Sequence, residues 1–382
     1  MDVLYITHTV FMAGANRSLL QLILEMRAKY GVTPTVLMPH IQRNYEKWNL
    51  YKECQKHNIE CFSYKYFWFR ENVRIISYIR CLSNILWYPR VYYKLRNRHF
   101  DLVHSNGSVI SLGAFVSRMI NAPHVWHLRE FGLLDFNLRP LFGKGYEKFV
   151  FRYGDAFVAI SNAVKNYYLP LIPEGKIRMI YNGIVPPKDV VQIRCHNDIV
   201  QFCMVGLVTE GKNQLEALEA VDILVNKWRY INFHLSFVGF EEHVYTRKLQ
   251  EFVEANSLNS YVSFLGETND VNAILSKMDV GLMLSKNEAF GRVTVEYMMQ
   301  GLAVIATNSG ANTEIVEDGV TGFIYHLGNV QELSSKMKSL IENKEKLSLF
   351  SGNGMKRAMD LFTSTRNTNQ IYEVYKSLLT TN

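Results

Sequence analysis

The run DVGLMLSKNEAFGRVTVEYMMQGLAVIAT, residues 279–307, reads as a strand, a loop, a helix and a second strand. DVGLMLS and LAVIAT are short, continuous apolar runs, which are typical of strands buried on both faces. VTVEY alternates like a strand, but MMQG follows it, with good helix formers and a glycine suited to a C-terminal cap. We therefore predict a helix from about Gly291 to Gln300 that joins two parallel strands.

The same alternation of apolar strands and helices runs along the whole chain and predicts parallel sheets covered by helices on both faces. The remaining strand-like runs fall into two sets. They are DVLYITHT, TPTVLMP, IECFSY, DLVHSN, HVWHLRE and AFVAIS in the first half, and IVQFCMVG, INFHLSFVG, YVSFLGE and TGFIY in the second.

At 382 residues the chain exceeds the size at which one hydrophobic core stops growing. We predict an α/β protein with two doubly wound, Rossmann-like domains, residues 1–183 and 184–360. Residues 361–382 should form a helix that packs back on the first domain. Prolines and charges mark residues 182–198 as the linker. Ligands of such folds bind beyond the carboxyl ends of the strands, so we expect the site in a deep cleft between the domains.

Composition narrows the class of protein. The five cysteines are scattered without CxxC spacing, which argues against a disulfide framework or a structural zinc site and fits a reducing cytosol. No apolar run reaches the roughly 18 to 20 residues of a membrane span. The start, MDVLYITHTVFMAGA, has an acid and no basic region, so we interpret it as a buried strand rather than a signal peptide. A cytoplasmic location is expected.

Residues 61–100 carry many bases among aromatic residues, and Glu71 is the only acid within this range. One interpretation is an amphipathic helix whose aromatic side chains are core and whose bases face water. The other is a surface that binds anionic lipid head groups, which would place the protein peripherally on the inner face of the plasma membrane. The rest of the chain offers no recognition module for nucleic acid, so we expect no such partner.

The predicted helix after residue 290 has a start suited to an anion. Its first amides lack partners within the helix and favour phosphate. They belong to Phe290, Gly291, Arg292 and Val293. Glu288 lies just ahead and Glu296 in the second turn, where carboxylates suit the hydroxyls of a sugar and of a ribose. The alternative is that Glu288 is a helix-start acid favoured by the dipole and Glu296 a solvated surface residue.

A second loop, VGLVTEGKNQLEAL, residues 205–218, also follows a strand and opens a helix. Gly206 and Gly211 permit close approach of the backbone, and Lys212 stands at the helix start. Both loops would then meet one diphosphate, as in a nucleoside diphosphate sugar. The alternative is that Lys212 is only an exposed lysine.

In the first half, MAGANRSLL follows the first strand, and Gly14 and Ala15 keep the backbone bare ahead of a helix, as a contact for an anion or an acceptor. His127 ends the strand HVWHLRE and should point into the same cleft. Asn106, at the end of DLVHSN, is a weaker candidate, as is His104. A lone histidine is more often a structural residue.

These motifs carry a resemblance. NEAFGRVTVEYMMQGLAVIATNSGANTEIVEDGVTGFIY resembles the Glu-x7-Glu signature of family 4 of the retaining glycosyltransferases, which have the two-domain GT-B fold. VGLVTEGKNQ resembles the family's glycine-to-lysine phosphate loop. AISNAVKNYY with IRMIYNGI resembles its interdomain crossing, MAGANRSLL its N-terminal GGAER-type loop, and HVWHLREF the segment with the cleft histidine. The resemblance covers nearly the whole chain.

The resemblance implies that Glu288 holds the donor sugar and Glu296 the ribose. It implies that Lys212 holds the diphosphate and that His127 lies near the reacting sugar. One departure stands out, because many members have arginine where this chain has Leu207. Uridine is the family's commonest base, so a UDP-sugar is the expected donor.

The expected reaction moves a sugar to a saccharide or lipid-linked saccharide, as in bacterial cell-surface polysaccharide biosynthesis. The leaving diphosphate needs fixed positive groups or a metal. The sequence has no DxD cluster, so Lys212 and helix amides should serve, with no metal and no cofactor beyond the nucleotide sugar. Retention of configuration is implied by the resemblance alone.

Three alternatives remain. Glu288 and Glu296 would be the acid and base of a glycoside hydrolase if they straddled a scissile bond. A nucleotide-sugar 2-epimerase shares the two-domain layout. A catalytically weakened scaffold is compatible with Leu207.

Overall fold

The computed structural model describes residues 1–40, 49–187, 198–240, 242–268 and 270–380. The chain forms two compact units, Met1–Val185 with Ser364–Asn382, and Pro186–Thr363. The domain limits expected from the sequence, 183 and 360, lie close to these. Most of the expected linker, residues 188–197, lies outside the described residues.

Twelve of the described strands coincide with the predicted apolar runs, whereas Arg70–Glu71, Arg139–Pro140 and Ile177–Met179 were not predicted as strands. The strands are β1 (Asp2–Thr7), β2 (Thr33–Pro39), β3 (Glu60–Tyr64), β4 (Arg70–Glu71), β5 (Leu102–Asn106), β6 (His124–Leu128), β7 (Arg139–Pro140), β8 (Ala156–Ala159), β9 (Ile177–Met179), β10 (Val200–Val205), β11 (Phe233–Val238), β12 (Val262–Phe264), β13 (Val280–Met283), β14 (Ala303–Thr307) and β15 (Gly322–Tyr325).

The helices lie between and after these strands. They are α1 (Gly14–Tyr30), α2 (Leu50–Lys56), α3 (Ile75–Leu95), α4 (Leu112–Met119), α5 (Leu133–Phe136), α6 (Gly143–Phe151), α7 (Asn162–Tyr168), α8 (Gln214–Asp222), α9 (His243–Ala255), α10 (Val271–Leu275), α11 (Arg292–Met299), α12 (Asn312–Ile315), α13 (Val330–Glu342), α14 (Lys344–Leu361) and α15 (Ser364–Leu379).

The first unit is built on a parallel sheet of order β3-β2-β1-β5-β6-β8-β9. The order reverses between β1 and β5, which is the switch point where doubly wound sheets bind ligands. Residues Val3 and Tyr5 of β1 pack with α1 and with Tyr375 of α15 in one buried cluster. The C-terminal helix is therefore part of the core of the first unit.

The second unit repeats the design with the order β12-β11-β10-β13-β14-β15, again parallel throughout. Its switch point lies between β10 and β13. Residues of α8, α9 and α13 cover one face with a continuous apolar cluster that includes Phe202 and Leu282. Both units are thus doubly wound α/β folds, as the sequence predicts.

Helix α11 resolves the ambiguity of VTVEY. The segment is helical, and Gly291 precedes it with a left-handed φ of 81°. Val295 and Tyr297 are fully buried, and the Tyr297 hydroxyl accepts a hydrogen bond from the amide of Val205 at 2.6 Å. The helix is therefore held against the end of β10 by a tertiary contact as well as by local preference.

The pairing of β4 with β7 was not predicted. Arg70 of β4 is buried and donates to Glu147 and to the Tyr168 hydroxyl, each at 2.5 Å. Two-residue strands show no periodicity, so the sequence carries no signal for this pairing. Arg70 adds the side-chain contacts. It connects the segment before α3 to α6 and α7.

Two further observations concern class. In the part of the chain that the structure describes, no helix is both long enough and apolar enough to cross a membrane. Cys54, Cys61, Cys81 and Cys203 carry free thiols, and Cys195 lies outside the described residues.

Burial of His124 predicts acid sensitivity. Its Nδ1 donates to the Tyr153 carbonyl at 3.2 Å and its Nε2 accepts from the Ser105 hydroxyl at 2.8 Å, which is a neutral ring. Burial lowers the pKa of His124 from 6.5 to about 4. At a pH between these two pKa values, His124 therefore binds a proton in the unfolded chain but not in the folded chain. Stability is present above pH 6.5 and lost toward pH 4, by roughly 3 kcal/mol for this group.

The test is urea unfolding of the wild type and of His124→Asn, followed by tryptophan fluorescence at pH 7 and at acid pH. We expect the variant to be less stable at neutral pH and its stability to fall less steeply with acid. His243→Asn, at an exposed position, is the control and should keep the slope of the wild type. Equal slopes for His124→Asn and the wild type would contradict the assignment.

Candidate active site

The loop after β10 begins with a tight backbone contact. Gly206 has a φ of 141°, and its amide donates to the Val238 carbonyl at 2.9 Å. A Cβ on Gly239 would lie 2.0 Å from the carbonyl oxygen of Gly206, so the loops after β10 and β11 pack backbone to backbone. Only glycine fits at this approach. Leu207, next in the chain, is exposed.

Lys212 ends a short 3-10 turn, Glu210–Lys212, ahead of α8. Its ammonium donates to Oε2 of Glu288 at 3.0 Å, and both side chains are only partly exposed. Glu288 follows β13, so the two residues come from the strands on either side of the switch point. The structure therefore brings together Lys212 and Glu288, which are 76 residues apart in sequence.

The other oxygen of Glu288 binds the backbone of the residue that precedes α11. Oε1 accepts a hydrogen bond from the amide of Gly291 at 3.0 Å. In this structure the Glu288 carboxylate therefore occupies an amide that the sequence predicts as a phosphate contact, and that role stays a prediction. The charge of Glu288 also neutralises Lys212.

Arg292 and Glu296 form a second ion pair, with 3.4 Å between Nη2 and Oε1 on successive turns of α11. Both side chains are partly exposed, as is Val293, whereas Phe290 is buried. The expected ribose ligand Glu296 is thus already paired with a neighbour. The four charged residues predicted to bind the donor therefore form two ion pairs, Lys212 with Glu288 and Arg292 with Glu296.

Two polar residues here were missed from the sequence. Thr294 Oγ1 and Asn312 Oδ1 are buried and have no hydrogen-bond partner among the described residues. They lie 3.0 Å and 3.6 Å from the point where a Cβ on Gly291 would stand. Asn312 belongs to the glycine-rich segment NSGANTE, which is the only signal that pointed to this place.

In the first unit, Asn106 joins the end of β5 to the start of α1. Its amide donates to the Ala15 carbonyl at 3.3 Å, and its Oδ1 accepts from Arg129 Nε at 2.8 Å. Gly14 is exposed and Asn106 is fully buried. The role of Gly14 as a contact for an acceptor stays a prediction, whereas Asn106 makes structural hydrogen bonds in this arrangement.

His127 is the next-to-last residue of β6 and is fully buried. Its Nδ1 lies 3.3 Å from His104 Nε2, and His104 Nδ1 lies 2.7 Å from the hydroxyl of Tyr375 on α15. His127 Nε2 is buried without a partner in the part of the chain described. Burial, with Arg129 nearby, lowers the pKa of both histidines well below 6.5, so both rings are neutral.

Arg129 and Glu130, directly after β6, were also missed. Both are buried. Arg129 donates to Asn182, and Glu130 accepts from the Ser108 hydroxyl at 2.9 Å. Their place beyond the carboxyl end of a strand was the available signal. Burial, together with the nearby Glu130 carboxylate, also raises the pKa of Asp135 to about 6.

No group of three or more histidine, cysteine or acidic side chains suited to a metal ion occurs among residues 1–40, 49–187, 198–240, 242–268 and 270–380.

Two family models match the chain. Glycosyltransferase Family 4 matches residues 12–186, and Glycosyl transferases group 1 matches residues 192–357. Together the two matches cover both units. The chain belongs to family 4 of the glycosyltransferases. Its Lys212 and Glu288 loops both fall within the group 1 match.

Individual relatives agree with this assignment. The uncharacterized glycosyltransferase MJ1178 of Methanocaldococcus jannaschii is 27% identical over 264 residues, which are 68% of this chain and 71% of the relative. The O-antigen biosynthesis glycosyltransferase WclY of Escherichia coli is 25% identical over 224 residues, which are 55% of this chain and 62% of the relative. The chain thus spans less than two thirds of the length of WclY.

The fold is GT-B. The crystal structure of Anabaena HepE in complex with UDP has a TM-score of 0.79 at 21% identity, and the similarity covers 99% of this chain and 100% of that one. The sucrose-phosphate synthase of Thermosynechococcus elongatus has a TM-score of 0.77 at 16% identity, with 100% of both chains covered. At these identities the similarity shows the fold alone.

The backbone around Glu288 predicts a sensitive glycine. The carbonyl of Glu288 accepts from the Ala311 amide at 2.8 Å, and a Cβ on Gly310 would lie 2.1 Å from that carbonyl oxygen. Gly310→Ala should cost about 2 to 4 kcal/mol, from left-handed strain plus the clash. Gly319→Ala has the same strain without a neighbour and should cost about 1 kcal/mol.

Urea unfolding gives the free energy of unfolding of both variants. It is followed by the fluorescence of Trp228, the one tryptophan in residues 186–363. Equal losses in the two alanine variants would mean that the contact with Glu288 contributes nothing.

Proposed function

We propose that the protein is a retaining, metal-independent transferase that moves a sugar from a nucleoside diphosphate sugar, a UDP-sugar, to a saccharide or lipid-linked saccharide. One observation carries the proposal. Lys212, the start of α11 and Glu288 meet at the switch point of the second sheet. A cation, a helix N-terminus and a carboxylate are the three groups that a diphosphate sugar requires.

The donor would enter by exchange. Glu288 now occupies the two groups that favour phosphate, the Lys212 ammonium and the Gly291 amide. A diphosphate cannot share them with a carboxylate of like charge. In our proposal the diphosphate takes these donors, and the freed carboxylate turns to the hydroxyls of the donor sugar. Glu296 then breaks or shares its ion pair with Arg292 and binds the ribose hydroxyls. Arg292 in turn faces the negative charge of the diphosphate.

The same donors serve the reaction. As the bond from the anomeric carbon to the phosphate oxygen breaks, negative charge grows on the diphosphate, and Lys212 with the helix amides stabilises it. The acceptor oxygen forms the new bond on the same face and gives its proton to the departing phosphate oxygen. No metal is required in this scheme, and the nucleotide sugar is the only small-molecule partner.

His127 is proposed to lie near the reacting sugar, with its unpartnered Nε2 as the contact. A neutral ring is suited to this role because it adds no positive charge beside an anomeric carbon that becomes cationic. The residue is fully buried, so the contact requires the covering groups to move. Gly14 and Ala15 are proposed as contacts on the acceptor side, with Asn106 as their support.

The names of relatives support the choice of donor and pathway. HepE of Anabaena has been crystallised with UDP and with UDP-glucose, and WclY acts in O-antigen biosynthesis. We propose by analogy a role in bacterial surface polysaccharide assembly, at the cytoplasmic side of the membrane, where residues 61–100 would meet anionic lipid.

A thermal-shift screen across UDP- and GDP-hexoses identifies the donor, since a ligand that binds the folded state raises its stability. The best donor is then incubated with the protein and EDTA without an acceptor, and slow transfer to water is followed by proton NMR. The released sugar should first appear with the anomeric configuration of the donor. Inverted sugar, full inhibition by EDTA, or an epimerised donor would each overturn part of the proposal.

Variants of the paired residues separate binding from transfer. Lys212→Ala should weaken UDP binding about tenfold or more, because a charged hydrogen bond to phosphate is lost. Glu288→Gln should bind UDP at least as tightly as the wild type, since Lys212 is no longer neutralised. Its sugar transfer should nevertheless fall on the order of 10²-fold.

Calorimetry with UDP and the donor turnover assay measure the two effects, with Lys277→Ala, an exposed lysine of the second unit, as the control. Normal turnover in Glu288→Gln would show that Glu288 is only a helix cap.

A further inference from the structure

Helix α3 is apolar on two opposite faces. Its inner face is buried and repeats every three or four residues, through Ser77, Cys81, Asn84, Tyr88, Val91 and Leu95. The outer face repeats with the same spacing about half a turn away. We name it the outer stripe, and its members are Ile75, Ile79, Leu82, Leu86, Pro89 and Tyr93.

The outer stripe is exposed. The side chain of every member except Pro89 is more than half exposed, from 52% for Leu82 to 82% for Ile75. Pro89 is also exposed. A helix that faces water normally presents polar residues on its outer side. The interpretation of residues 61–100 in which aromatic side chains are core and bases face water does not account for these exposed aliphatic residues of α3. A contiguous apolar surface of this kind marks an interaction site.

The surface continues onto α6. Tyr78 of α3 and Phe142 form an edge-to-face pair with 5.4 Å between ring centroids. Phe142 and Phe149 are both partly exposed, at the start of α6 and on it. The outer stripe thus extends through an aromatic contact to a second helix, which widens the apolar surface beyond one helix.

Positive charge flanks the stripe. Arg80, Arg90 and Lys94 each follow a stripe residue directly, which places them about 100° around the helix on one side. Residues 72–100 contain no acid, and Glu71, just ahead of them, lies 3.9 Å from Arg80. On α6 and just after it, Lys144, Lys148 and Arg152 are exposed as well. The apolar surface therefore has a basic border on both helices.

We propose that the outer stripe, with Phe142 and Phe149, inserts into the interfacial region of an anionic lipid bilayer while the bordering bases bind lipid phosphates. Apolar residues beside lysine and arginine are the composition of helices that lie in the membrane plane. The inference deepens the proposed function by placing transfer at a lipid surface, and for that link alone it rests on the proposed lipid-linked acceptor.

Charge decides between a bilayer and a second copy of the chain as the occupant. A symmetric dimer through this face would bring the same basic border of each copy against the other. Residues 72–100 would bring no acid to offset the repulsion. An anionic bilayer supplies both the apolar depth for the stripe and negative charge for its border.

The test is flotation of the full chain with vesicles of phosphatidylcholine alone and of phosphatidylcholine with phosphatidylglycerol. The wild type should bind the anionic vesicles and bind the neutral ones on the order of tenfold less. The triple variant Ile79→Ser, Leu82→Ser, Leu86→Ser should lose most binding to both. Arg80→Gln with Arg90→Gln should lose preference for phosphatidylglycerol and keep weak binding to neutral vesicles.

The matched control is Ile231→Ser, Val244→Ser, Leu349→Ser, which removes equally exposed apolar residues from the second unit and should bind as the wild type does. UDP calorimetry on every variant separates this inference from the proposed function, because nucleotide binding should be unchanged. Undiminished flotation of the stripe variant overturns the inference. So does a wild-type dimer that the stripe variant converts to monomer and that ignores vesicles.

Discussion

The contact of Tyr297 with the β10–β13 pair organises the second unit. β10 and β13 are parallel neighbours, with Cys203 opposite Gly281. A Cβ on Gly281 would lie 2.1 Å from the Tyr297 ring, so the ring rests on bare backbone, and its hydroxyl binds the Val205 amide. This contact sets α11 over the switch point. The loops that begin at the ends of these two strands then carry Lys212 and Glu288 to the same place.

Electrostatics explain why the site is self-satisfied. A helix N-terminus and an ammonium group that both favour anions are costly to leave without one in a partly buried loop. Glu288 supplies the anion and stabilises the loop, and Arg292 with Glu296 does the same one turn on. In our proposal the donor diphosphate replaces the carboxylate, so protein stability and ligand binding use the same groups. Leu207 stands where the family resemblance implies a further cation, so in our proposal Lys212 carries the larger share of the charge that faces the diphosphate.

The first unit uses a different balance of interactions. Its buried polar groups form connected networks, with Arg70 bound to Glu147 and Tyr168, and His127 next to His104. A buried charge is tolerated only with such partners. Exposed apolar side chains are concentrated instead on α3. In our proposal the outer stripe brings this unit to the lipid surface where it meets the acceptor.

Much of the fold and part of the site follow from local sequence. Strand runs such as LAVIAT, the glycines that follow some strands, such as Gly206 and Gly239, and the helix stop after Gln300 depend on periodicity and backbone freedom within a few residues. Those signals predicted both sheets, α11, and the loops of Lys212 and Glu288. They did not predict that Glu288 binds both the Gly291 amide and Lys212. They also missed the hydrogen bond between Tyr375 and His104, which are 271 residues apart, and the pairing of β4 with β7. Each of these depends on groups distant in sequence, whose meeting is decided by how the helices pack. The outer stripe shows the same limit, because periodicity marks both faces of α3 as apolar, and only tertiary packing decides which face is buried.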